Sequence, residues 1–136
     1  MVSVLSTAVS FELKATNDKK QAQEGLVSLA RDFRNIIVWQ EADNLVIDIY
    51  KVTGLFPPDK KFGLTSQLRR AALSAPANIA EGSGRSTLKD FLWFLHNDQG
   101  FLFEVEYYCH IAKRLDYIND ETYANIETQR AKVGVC

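Results

Sequence analysis

The stretch TLKDFLWFLHNDQGFLFEVEYYCHIAKRL, Thr87 to Leu115, decides the fold of this chain. Thr87 with Asp90 three residues on resembles a capping box, with Asp in place of the usual Glu or Gln. Placed at 100° per residue, the apolar side chains of the helix fall on two sides rather than one. Phe91, Phe94, Leu95, Phe101, Leu102, Val105, Cys109 and Ala112 form one side, enough for an intramolecular core. Trp93, Phe103, Tyr107 and Ile111 occupy the other, with Gly100 between them. A helix that is apolar all round must be buried all round, and a bundle covers only one side of each member. Burying each outer aromatic fully gains roughly 1.5–3 kcal/mol; left in water, together they make a patch that monomers rarely tolerate. Self-association of identical copies is therefore expected. The alternative cover is the N-terminal extension folded back over this side.

Three further helices flank that stretch. The first spans about Ile36 to Thr53, with Val38, Ala42, Leu45, Val46, Ile49 and Val52 as its stripe; Gly54 and the tandem Pro57-Pro58 end it. The second runs from about Asp59 to Glu81 on Leu64, Leu68, Ala71, Ala72, Ala75 and Ile79. Pro76 predicts a kink within it, and Gly82 and Gly84 a stop. A short fourth helix follows Asn119, an N-cap with Asp120 and Glu121 in the first turn. Short connections favour antiparallel neighbours. The expectation is an all-α, antiparallel up-down four-helix bundle over 33–136, preceded by an N-terminal extension over 1–32. In that extension Val9, Phe11 and Leu13 hint at a short strand or a loose tail, and a helical pattern begins at Asn17.

The composition suits one folded domain: 136 residues, 46% hydrophobic and 24% charged. Two cysteines far apart, Cys109 and Cys136, read as free thiols in a reducing compartment. No stretch reads as a membrane span, so the expected address is the cytoplasm. A net charge of −1 lacks the overall basic excess of a dedicated nucleic-acid binder. The charge is nonetheless uneven. Between Asp59 and Lys89 six basic residues (Lys60, Lys61, Arg69, Arg70, Arg85 and Lys89) face two acids, giving +4 against −5 for the rest. Such a segment could contact phosphates in a salt-sensitive way, or be an ordinary solvated surface.

On the second helix Gln67, Arg70, Ser74, Asn78 and Glu81 recur at spacings of three and four, at the edge of the apolar face. Ser and Asn are poor choices for a solvated helix face, whereas side chains that bond at both ends suit a partly buried polar network. Ser74 or Asn78 could also serve carbonyls freed by Pro76. Glu104 of the third helix, on the side of Gly100, could pair with Arg70 of the same or a neighbouring chain. A ligand or nucleic-acid contact is the alternative use of the stripe.

These residues carry a resemblance. VWQEA (Val38 to Ala42), the FPP turn at Phe56 and above all FGLTSQLRRAALSAPANIAEGSGR (Phe62 to Arg85) resemble the four-helix bundle proteins named for reading frames inside bacterial 23S rRNA intervening sequences. The segment around Gly100, Glu104 and Glu106 fits as well. The resemblance covers about Phe33 to Val133 and implies a left-handed bundle commonly assembled as a pentamer. A related branch, the accessory protein of diversity-generating retroelements, is a basic pentamer that partners a reverse transcriptase and nucleic acid; this chain lacks that overall basic charge. The extension, and an end at Gly134-Val135-Cys136 where relatives continue for further turns, depart from the pattern.

No catalytic set emerges. His96 and His110 lie about 21 Å apart along one helix and cannot share a metal within a chain. Glu104 and Glu106 diverge, so they cannot pair as catalytic acids. Gly82-Ser83-Gly84-Arg85-Ser86-Thr87 precedes a helix but lacks the phosphate-loop spacing and its strand. No cofactor or metal is expected. The leading functional reading is a non-enzymatic, homo-oligomeric scaffold or adaptor, associated with RNA or an RNA-handling protein. The competing readings are an enzyme whose site forms between subunits from Arg70, Asn78, Glu81 and Glu104, and a plain protein-binding module whose partner covers Trp93 and Tyr107.

Overall fold

The computed structural model describes residues 32–58 and 61–134, and all regular structure in them is helical. Four α-helices follow one another: α1 (Ile37–Thr53), α2 (Ser66–Ser83), α3 (Leu88–Arg114) and α4 (Asp120–Val133). The strand expected near Val9, the helical pattern from Asn17, Lys60, the side chain of Lys61, and Cys136 lie outside the described residues.

The apolar stripe of α1 is buried as its spacing requires, through Val38, Ala42, Leu45, Val46 and Ile49. The helix ends at Gly54, whose amide donates to the Tyr50 carbonyl at 3.1 Å. Phe56 then turns inward, its ring 5.3 Å from that of Tyr117, before the two prolines.

The second helix departs from its expected start. Regular α-helix begins at Ser66, not Asp59, and a wider π-turn, Lys61–Thr65, leads into it. The break sits at Gly63, whose φ of −99° and ψ of −106° are non-helical; without a side chain it costs little to bend the chain there. From Ser66 the helix runs through Pro76 to Ser83, two residues past the expected end, and buries Leu68, Ala71, Ala72, Ala75 and Ile79.

Small residues on α2 bring it close to α3. An ideal Cβ on Gly82 would stand 2.6 Å from Phe94 Cβ, so glycine is what permits this approach. The core-facing side of α3 buries Phe91, Phe94, Leu95, Leu102, Val105, Cys109 and Ala112. Its N-cap is Thr87, whose hydroxyl oxygen accepts the Asp90 amide at 3.2 Å. At the start of α4 the Asn119 side chain accepts from the Thr122 amide at 2.8 Å.

Consecutive helices pack side by side, and α4 returns to lie against α1; its contact with α3 is the lightest of these. The α4 helix buries little apolar surface, Ile126 and Val133 only. Polar groups add to its hold. Gln129 donates to the Glu41 carbonyl and carboxylate at 2.9 and 2.8 Å, and Arg130 reaches both Glu127 and Glu106 of α3.

Candidate functional site

Three surfaces bear on function: the outer face of α3, the seam between α2 and α3, and a groove between α1 and α2. On the first, Trp93, Phe103 and Tyr107 are 61%, 61% and 59% exposed, and Ile111 is half-buried. Gly100 is exposed too, and a Cβ built there would meet nothing within 4 Å. Glycine inside a helix costs roughly 0.5–1 kcal/mol relative to alanine, and no close approach among the described residues accounts for it. A fold-back of the N-terminal extension onto this face concerns residues 1–31, which lie outside those described.

The polar stripe of α2 resolves into local pairs and one bridge. Arg70 donates to Gln67 at 2.7 Å, Ser74 to the Arg70 carbonyl at 2.8 Å, and Arg85 to Glu81 at 2.9 Å. Only Asn78 crosses to another helix. Its amide donates to the Phe94 carbonyl at 2.6 Å and to Asp98 Oδ1 at 2.8 Å. Neither Ser74 nor Asn78 serves the carbonyl that Pro76 leaves free, since both are committed elsewhere. Glu104 makes no ion pair among the described residues, whereas Glu106 faces Arg130 at 3.3 Å.

Asp98 was not singled out in the sequence, and among the described residues it is the acid whose carboxyl is shifted. It is 3% exposed on the core side of α3, and its Oδ2 has no hydrogen-bond partner among the described residues. Burial pushes its carboxyl up to about 7, and the Asn78 bond offsets only part of that. A signal existed: position 98 lies within the run Phe91, Phe94, Leu95, Leu102, Val105, at core spacing. Cys109 is also buried, and burial followed by the charge of Glu127 pushes its thiol up to about 12, so it is a packing group and not a nucleophile. Arg130 is the opposite case. Burial works against its charge, yet the hydrogen bond and charge of Glu127, with Glu106, hold the guanidinium above its ordinary value.

The basic segment does not form one surface. Arg69 and Arg70 lie near the start of α2, and Arg85 lies beyond its end, roughly 24 Å along the axis at 1.5 Å per residue. Arg85 is already engaged, paired with Glu81 and lying 4.8 Å over the Phe94 ring. Near Arg69 and Arg70, between α1 and α2, opens a groove of about 510 Å³ lined by Tyr50, Thr65, Ser66, Arg69, Arg70 and Ser74 among others.

Residues 34–135 match the family profile described as the 23S rRNA-intervening sequence protein. The chain belongs to that family. A solved structure of the same architecture comes from Bacteroides thetaiotaomicron, a protein of unknown function from the S23 ribosomal protein family. It is 24% identical, covers 71% of this chain and 91% of its own, and superposes with a TM-score of 0.65. That likeness supports the fold. No curated protein matches the chain. Against this family frame, the NIAEG segment (Asn78 to Gly82) that carried the resemblance has a structural meaning. Asn78 bonds α3, Ile79 fills the core, and Gly82 lets Phe94 approach.

Proposed function

We propose that this protein is a non-enzymatic scaffold that assembles from identical copies through the outer face of α3, in a cytoplasmic setting, and associates with RNA or an RNA-handling protein. The observation that carries the assembly half is the exposed row of Trp93, Phe103 and Tyr107 around an open Gly100. A second copy laid over that row would bury rings that now meet water, at a gain of about 1–2 kcal/mol each for the exposed fraction. Without a side chain at position 100, a facing helix could come close. The family resemblance points to five copies. The RNA half draws on the family's description and on Arg69 and Arg70 near the start of α2.

An inter-subunit enzyme has less support. Of its four candidate residues, Arg70, Asn78 and Glu81 already have partners inside one chain.

Light scattering over a dilution series, on the wild type and on Trp93→Glu/Tyr107→Lys, tests assembly. The expected result is a defined oligomer that the double variant dissolves to folded single chains. A wild type that stays monomeric at every concentration overturns the scaffold reading. RNA retention on a filter at low and high salt tests the other half, and no retention at low salt removes it.

A further inference from the structure

We infer that the groove between α1 and α2 is a binding site for a phosphate ester of nucleotide size. It is an open groove of about 510 Å³, lined along one face of α2 and by Tyr50 of α1. The inference deepens the RNA reading and, where the phosphate belongs to a strand, rests on it; it does not depend on self-assembly.

Arg69 is held in place from behind. Its Nε donates to Thr53 Oγ1 at 2.8 Å, and its guanidinium lies 4.5 Å over the Tyr50 ring. Thr53 is itself fixed, 3% exposed and donating its hydroxyl proton to the Ile49 carbonyl at 2.7 Å. That arrangement consumes one of the five N–H groups and leaves both Nη nitrogens without an acceptor among the described residues. Arg70 lines the same groove from the next position, where among the described residues its side chain is engaged through Nη2 with Gln67. Among the described residues no carboxylate oxygen lies within 4 Å of either arginine.

The contrast is with Arg130, a partly buried arginine that the fold answers with two carboxylates. A guanidinium oriented by a buried threonine and a ring, with no acid beside it among the described residues, is prepared for an anion from outside. The rest of the lining specifies which anion. Ser66 contributes a hydroxyl with no partner among the described residues, Ser74 offers its oxygen lone pairs, and Thr65 lines the groove while almost fully buried. A tetrahedral phosphate has enough acceptor oxygens to engage two separate guanidinium groups and neighbouring hydroxyls; a carboxylate is satisfied by one arginine fork. Leu73, Ala77 and the edge of Tyr50 complete the groove with apolar surface, where the organic part of the ester would lie.

Calorimetric titration of the full chain with inorganic phosphate, adenosine monophosphate and a ten-nucleotide RNA tests this. The proteins are the wild type, Arg69→Gln, Arg70→Gln and, at the far end of α2, Arg85→Gln. Circular dichroism melts check the fold, and exposed Arg70 keeps the test meaningful should Arg69→Gln unfold. The expected result is saturable binding of adenosine monophosphate or the RNA, weakened about tenfold or more by each groove variant and less than twofold by Arg85→Gln. Binding of the mononucleotide identifies a free nucleotide as sufficient; RNA alone, with the same variant pattern, assigns the phosphate to a strand. RNA binding that the groove variants leave intact overturns the site while RNA association survives. No binding of any probe overturns both.

Discussion

The buried carboxylate of Asp98 should make this bundle less stable as pH rises. Its value in the fold is about 7 against 3.8 for the free side chain. Between those values the folded chain holds a proton that the unfolded chain has lost, so stability falls with increasing pH, and the loss is complete only above the folded value. At about 1.36 kcal/mol per unit, the full penalty is roughly 4 kcal/mol, with more than half of it falling between pH 5 and 8. Geometry supports the sign. Oδ1 is served by Asn78, but Oδ2 is buried without a donor, and a bare charge there costs more than a neutral acid. Urea unfolding at pH 5, 6, 7 and 8, at one protein concentration, would compare wild type with Asp98→Asn. The amide keeps an oxygen for Asn78 and cannot ionise. The difference between the two profiles isolates Asp98, because His96 and His110 are common to both. It should shift in favour of the variant by about 2 kcal/mol across the range. Parallel profiles would refute the reasoning.

Other outcomes follow from the same contacts. Gly82→Ala should destabilise by about 1–3 kcal/mol in thermal melts despite the better helix propensity of alanine, because the new methyl meets Phe94 Cβ and a backbone must move. Arg130→Met should cost about 1–2 kcal/mol in urea unfolding, by stripping Glu127 and Glu106 of their partner, with the loss shrinking in high salt. Cys109 should resist alkylation by iodoacetamide at pH 8 in the native state and react only as fast as the chain unfolds, measured by mass spectrometry of the Cys109 peptide.

The helices were legible because their apolar spacing is strong and their ends are chemically marked. The Thr87 and Asn119 caps and the Gly54 stop stand where those residues were read. The start of α2 was misplaced because Leu64 extends the helical pattern through a turn that Gly63 actually breaks. Periodicity registers a side chain's direction, not the width of the backbone turn beneath it. Asp98 escaped for a related reason. Its position on the wheel marked it as inward, but an acid is ordinarily assigned to solvent, and only the Asn78 contact explains how it is held. The polar stripe on α2 was visible as a pattern, yet its pairings depend on rotamers and on what α3 offers, which one strand of sequence does not encode. The groove at Arg69 draws on Tyr50 and Thr53 from the preceding helix, a convergence that needs the packed pair.

The last helix has a consequence of its own. With two buried apolar side chains and a clasp of amide and ion-pair contacts, α4 is held to α1 and α3 in part by polar groups. Such a segment lifts away before the remainder melts. Amide deuteration should reach Ile126 well ahead of Leu45 or Leu102, and added salt should widen that gap, giving the bundle a detachable flank whose opening answers to ionic strength rather than to heat alone.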